Sequence, residues 1–286
     1  MSETTPRSLE DRIRDNYERL PPNEQRLADM ILNFPGELAS YAASELAALA
    51  NVSKATASRF FKRIGYESFD AARRDARAAQ RWGSPFYRQT RQAETRGVSD
   101  TVRSHVESEA ANIGLTFEQL SHEDLGAAIE ALGQARRIYC LGFRTSAMVS
   151  AYAAWLLGHI REDVLILPQG GNTLAEQIAG IGPDDVVFAI GLRRRLPIFG
   201  GLLGVARDRG ARILLITDPT SHRSASLATW TFRAEARSPT LFDSDIAANS
   251  LVHLICGLLA SRMGAKGRAR LKDIEALHSQ VGDFER

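Results

Sequence analysis

Lysine is nearly missing from this sequence. Of 36 basic residues only Lys54, Lys62, Lys266 and Lys272 are lysines, so arginine carries the positive charge and a local arginine run is weaker evidence of function than in a lysine-rich chain. Cysteine is as scarce. Cys140 and Cys256 sit inside the apolar runs RIYCLGF and LVHLICGLL, which excludes a disulfide framework and suits buried free thiols in a reducing cytoplasm. An excess of one charge is missing too: a formal net charge of +2 excludes a wholesale polybasic nucleic-acid binder, so any basic surface must come from uneven distribution along the chain. No stretch reaches the roughly 18 to 20 uninterrupted apolar residues of a membrane span, and MSETTPRSLEDRIRD has no apolar signal region, so neither membrane insertion nor export is expected. His105, His122, His159, His222 and His253 show no metal-ligand spacing, and neither a metal nor a cofactor is expected.

What is present is enough for two modest domains: 286 residues, 44% of them hydrophobic. From Leu9 to about Arg81 the pattern is helical, with Leu9, Ile13, Tyr17 and Leu20 near one helix face and a second helix opening at PPNEQ with Asn23 as candidate cap. Residues 81–100 lack periodicity and read as a linker between a helical domain over 1–80 and a second domain over 101–286. In the latter, RIYCL, DVLILP, DDVVFAI, ARILLIT and ATWTFRA alternate with helix-length segments, the pattern of buried parallel strands in an α/β layer fold. An apolar helix is expected over 244–262, with a polar helical tail after Gly264.

SELAALANVSKATASRFFKRIGY has the spacing of a helix-turn-helix. Leu46, Ala47 and Leu49 supply the inner face of the first helix, Asn51 to Ser53 the turn, and Ala57, Phe60 and Ile64 the inner face of the second. Outward this leaves Lys54, Ala55, Ser58, Arg59 and Lys62, a short basic face able to enter a major groove. Arg59 has the fork for a guanine edge, and Ser53, Thr56 and Ser58 carry hydroxyls short enough for phosphate oxygens. Arg63, Arg73, Arg74, Arg77 and Arg81 continue the basic character. VSKATASRF also resembles the VSxxTVSR of lactose-repressor-type readers, which assigns base contacts to Lys54, Ala55 and Arg59.

RIYCLGFRTSAMVSAYAAWLL reads as strand, glycine-containing turn and helix, and DDVVFAIGLRRRLPIFGGLLGVARDRGARILLITDP repeats the layout, so two helix N-termini face one cleft. With LPPNEQRLADMILNFPGELASYAASELAALANVSKATASRFFKRIGYESF before them, these segments resemble the RpiR/MurR family of bacterial transcription regulators nearly end to end. The resemblance implies a multidomain chain: an all-α helix-turn-helix domain, then an α/β sugar isomerase (SIS) domain with a five-stranded parallel sheet flanked by helices. It also implies self-association as a homodimer or tetramer through the SIS domain, and control by phosphosugars.

The chain departs from that family's ligand loops. Where SIS sites resemble G-x-G-x-S, this chain has Gly142, Phe143, Arg144, Thr145 and Ser146, keeping the first glycine and the serine and placing Arg144 at the second glycine. Where they resemble S-x-S-G-x-T, it has Gly191, Leu192, Arg193, Arg194, Arg195 and Leu196, losing both serines, the glycine and the threonine. A backbone phosphate cradle needs close approach, which arginine side chains obstruct. Three readings stand open: a guanidinium clamp for an anion, a degenerate site whose arginines pair with acids of a neighbouring subunit, and a solvated loop. Thr217 at a strand end and Ser244 before the last apolar helix complete the candidate ligand residues, with helix capping the plainer role for Ser244.

The expected function is a cytoplasmic DNA-binding regulator, more in the manner of a repressor than an activator. Its partners are a double-stranded operator, an anionic small molecule (phosphosugar, sugar acid or carboxylate) and other copies of itself, with no membrane. Catalysis is not expected, since the α/β half has no lysine before Lys266 to serve as acid or base and its cradle is disrupted. A phosphosugar isomerase and a ligand-free SIS scaffold are the alternatives.

Overall fold

The computed structural model describes residues 9–33, 43–79, 97–193, 195–221, 223–240 and 242–284. The expected linker therefore lies, as far as residue 96, outside the described residues. Two compact units divide the chain, one built on Met1–Val106 and the other on Glu107–Pro219, Arg223–Arg237 and Ser244–Arg286.

Up to Ala79, the described residues of the first unit form the α-helices α1 (Leu9–Asn16), α2 (Pro22–Asn33), α3 (Ala43–Leu49), α4 (Lys54–Arg63) and α5 (Phe69–Ala79), with a 3-10 turn at Tyr17–Arg19. Leu9, Ile13, Tyr17 and Leu20 are all buried, joining Leu27, Ile31, Leu46, Phe60, Phe61 and Ile64 in one core. Phe61 meets Phe60 edge-to-face at 5.1 Å within α4, and its edge-to-face contact with Phe69 at 5.3 Å ties α4 to α5. α2 starts at Pro22, whose fixed φ suits a first helical position, so Asn23 lies inside the helix rather than capping it. Leu49 is 58% exposed, against the expected inward placement. At 100° per residue it points well away from the row of Leu46, Ala47 and Ala50 that faces the core.

After α6 (Val98–Glu118), the second unit runs α7 (His122–Gln134), β1 (Ile138–Gly142), α8 (Thr145–Ile160), β2 (Val164–Leu167), α9 (Leu174–Ile178), β3 (Val186–Gly191), α10 (Pro197–Asp208), β4 (Arg212–Thr217), β5 (Trp230–Arg233) and α11 (Ile246–Val281). The five strands pair in parallel in the order β2-β1-β3-β4-β5. Every expected strand is present. β1 and β3 are buried at each position because helices cover both faces: Ile138, Cys140, Val186, Phe188 and Ile190 meet α7, α8 and α11, while Tyr139, Leu141, Val187 and Ala189 meet α9 and α10.

α11 contains a stretch apolar enough, by length and composition alone, to cross a membrane. Its apolarity has a use inside the protein. Leu251, Val252, Ile255 and Leu259 are buried in the core shared with α7 and α8, and the helix breaks at Gly264, with φ 53° and ψ −121°. That break is where the sequence separates an apolar helix from a polar one.

Candidate functional site

In the first unit the backbone itself closes the turn between α3 and α4. Val52 N–H reaches the Ala47 carbonyl at 2.8 Å and Asn51 N–H the Ala48 carbonyl at 3.0 Å, with Asn51 in the left-handed region at φ 52°, the pair of bonds that ends a helix in a Schellman motif. α4 begins under Ser53, whose Oγ accepts from Thr56 N–H at 3.1 Å. Lys54, Ala55, Ser58, Arg59 and Lys62 are exposed, and no acidic residue interrupts α4.

Thr56 is placed differently from the sequence expectation. It is 7% exposed, in the inner row with Ala57 and Phe60, and its hydroxyl lies 2.9 Å from Ser53 Oγ while accepting from Arg59 Nη2 at 3.4 Å. Its work is to close the cap and steer Arg59. Two further contacts hold α4, and sequence reading missed both. Arg63 Nε donates to the buried carboxylate of Glu24 on α2 at 2.8 Å, and Arg12 donates to the Gly65 carbonyl at 3.1 Å with its guanidinium 4.7 Å above the Tyr66 ring. Arg73 pairs with Asp70 at 3.0 Å; the side chains of Arg77 and Arg81 lie outside the described residues.

In the second unit the loops after β1 and β3 leave adjacent strands towards opposite faces of the sheet, which opens a crevice at their carboxyl ends. Gly142 ends β1 where a Cβ would strike the Ser146 carbonyl and come within 2.8 Å of Ser150 Cβ, so only glycine lets the first turn of α8 sit this close. Ser146 is buried, and its Oγ accepts from Leu192 N–H at 3.1 Å, joining the two loops. Arg144, exposed at the N-cap of α8, adopts φ 57° and ψ −130°, a conformation natural to glycine. Gly191 ends β3 against the ring of Phe199.

Arg195 turns inward. Its side chain is 8% exposed, and Nη1 donates to the Gly191 carbonyl at 2.9 Å, to Thr217 Oγ1 at 3.2 Å and to the carboxylate of Asp218, itself 2% exposed. Thr217 Oγ1 in turn donates to the Gly191 carbonyl at 2.6 Å, so its hydroxyl is committed across the β3–β4 edge instead of facing an open cleft. The space left beside Phe143, Arg144, Ser146, Arg193 and Phe199 is about 10 Å³, room for about one water. Arg193 is half-buried and lines it; Arg194 lies outside the described residues. Ser244 serves α11, its Oγ donating to Glu109 at 2.6 Å and accepting from Ile246 N–H at 3.2 Å. Burial keeps both thiols protonated, raising the Cys140 pKa and pushing Cys256 up to about 12, so neither is a nucleophile.

Comparison with known proteins matches residues 7–75 to the helix-turn-helix domain of the rpiR family and residues 131–281 to the SIS domain. The chain belongs to the RpiR family. Among similar proteins are the uncharacterized HTH-type transcriptional regulators YfhH of Escherichia coli, 29% identical over 216 residues (72% of this chain, 74% of that one), and YbbH of Bacillus subtilis, 25% identical over 219 residues (76% of each). In fold, the chain is similar to the Vibrio vulnificus NanR protein complexed with ManNAc-6P, with a TM-score of 0.59 and 20% identity over 96% of this chain and 99% of that one.

Within this RpiR-type chain, the leucine at position 196 has a visible result. Leu196 is the N-cap of α10 and makes no side-chain bond to the helix, although Pro197 at the first position begins it favourably. Asp218 was the residue the sequence did not announce. Strand order carries its signal: β4 lies beside β3, so an acid directly after β4 stands next to the loop after β3.

Proposed function

We propose that the protein is a DNA-binding transcriptional regulator, acting as a repressor of a metabolic operon, whose operator affinity is set by an anionic metabolite in the SIS cleft. One observation carries the DNA half. α4 presents Lys54, Ala55, Ser58, Arg59 and Lys62 outward with no acid among them, on a helix fixed by its Ser53 cap and by the Glu24–Arg63 pair. Groove entry by such a helix places side chains on base edges while basic neighbours meet phosphate. Self-association pairs two such helices on half-sites about one helical turn apart, roughly 34 Å, or a multiple of it.

The effector half is supported by the cleft between the β1 and β3 loops, where Arg144 and Arg193 line the space and Arg195 stands behind it. The NanR structure, with ManNAc-6P bound, supports an anionic sugar derivative as the ligand class. The chemistry here is guanidinium recognition in place of a glycine and serine cradle. We read the chain as a regulator and not as an isomerase, because the described polar side chains lining the cleft are arginines and a committed serine, and the acid beside them, Asp218, is held by Arg195. The test is fluorescence anisotropy of the full chain on DNA from its own upstream region, with and without sugar phosphates, sugar acids and dicarboxylates. Specific binding released by one of these anions supports the reading; binding equal on random DNA sinks the first half, and indifference to every anion sinks the second.

A further inference from the structure

The Arg195–Asp218 pair changes what the cleft can select. Arg195 is nearly enclosed, and its Nη1 spends its donors on the Gly191 carbonyl, Thr217 Oγ1 and the Asp218 carboxylate. Asp218 follows β4 directly and is more deeply buried than its partner. In the unliganded protein, then, the guanidinium nearest the sheet already holds an anion, supplied by the chain itself. An incoming anion does not meet an empty cation; it meets a tethered rival.

Tethering decides that competition. A carboxylate carried on the same chain is present at a high effective concentration and gives up little freedom on pairing, whereas a free monoanion of the same chemistry surrenders its translation and rotation for one equivalent contact. A monoanion therefore loses to Asp218. A ligand with two or more anionic groups is in a different position, because a second group meets Arg144 or Arg193, which line the one-water space and must move apart to admit it, while the first contests Arg195.

We propose that Asp218 is a specificity-determining residue of this cleft, its carboxylate seated on Arg195 so that monoanions are excluded and a multiply charged anion is required. This rests on the cleft being an anion site, the reading given above. Binding exchanges one charge-assisted contact for another at Arg195 and releases Asp218, so the segment after β4 registers the ligand.

The experiment titrates the full chain with acetate, inorganic phosphate, pyrophosphate and citrate at constant ionic strength, by calorimetry, in the wild type, Asp218→Asn, and Asp218→Asn combined with Arg195→Met. The expected result is that the wild type prefers citrate or pyrophosphate over acetate by about 100-fold or more, that Asp218→Asn gains about tenfold or more for acetate, and that adding Arg195→Met removes the gain. If the wild type binds acetate as well as citrate, or if Asp218→Asn keeps the wild-type discrimination, this proposal is overturned while the anion site stands. If no probe binds either the wild type or Asp218→Asn, the anion site falls as well. Asp218→Asn takes a carboxylate away from a buried cation, so its thermal midpoint serves as a second readout. Acetate is expected to raise that midpoint more than the wild type's, and equal shifts overturn the proposal.

Discussion

Replacing Arg144 by glycine is expected to stabilise the protein even though it deletes a long side chain from the α8 N-terminus. At φ 57° and ψ −130° the backbone occupies a region in which a Cβ is crowded, and such a residue is held at a cost of about 1 to 3 kcal/mol. Glycine removes that cost but enlarges the unfolded ensemble, which takes back about 0.4 to 1 kcal/mol. The balance is a gain centred on about 1.3 kcal/mol and at most about 2.6 kcal/mol, a central rise of about 3 to 5 °C in the thermal midpoint of a unit this size. The control is Arg144→Ala, which removes the guanidinium and keeps the Cβ. Alanine pays the same backbone penalty and is expected to give no comparable gain. Urea melts of the three proteins separate the two causes. If alanine stabilises as much as glycine, charge crowding among the arginines is responsible and the strain argument fails.

Three other outcomes are expected. Leu196→Ser restores a side-chain cap to α10 and adds about 0.5 to 2 kcal/mol to unfolding stability, measured by the same melts; no gain means that the amides at the start of α10 are already satisfied. Arg59→Ala costs on the order of 1 to 3 kcal/mol on the operator and relaxes preference at one base pair, and an equal loss on random DNA in competition binding refutes a base contact. Cys140 and Cys256, buried and held protonated, react with a disulfide reagent only under conditions that unfold the second unit; rapid labelling of either in the native protein contradicts their burial.

Most of the fold was legible because it rests on periodicity. Short apolar runs mark the five strands, and the central ones, β1 and β3, are buried at every position while the edge strands β2 and β5 are mostly half-buried. The inner row of α4 was legible for the same reason, since Ala57, Phe60 and Ile64 recur at helical spacing. Thr56 and Leu49 go against composition because helical angle decides the face: the polar threonine lies inward at 7% exposure and the apolar leucine outward at 58%. Thr56 is tolerated inside because Ser53 and Arg59 satisfy its hydroxyl, a network that no residue-by-residue scale contains.

The arginine run shows where sequence reading reaches its limit. Three consecutive arginines announce charge, yet what a buried charge does is decided by its partner, and that partner comes from a different strand. Arg195 follows β3, Asp218 follows β4, and only the parallel pairing of those strands, with Gly191 opposite Thr217, brings the two side chains together. The same pairing makes Thr217 a bridge and not a cleft-facing hydroxyl, because its Oγ1 reaches the Gly191 carbonyl and Arg195 at once. Such a pair adds little stability over apolar side chains of equal volume, since both ions must shed water to form it. What it supplies instead is an internal anion behind the space between the two loops, and under the proposed effector reading Arg195 would contribute to recognition only when Asp218 yields.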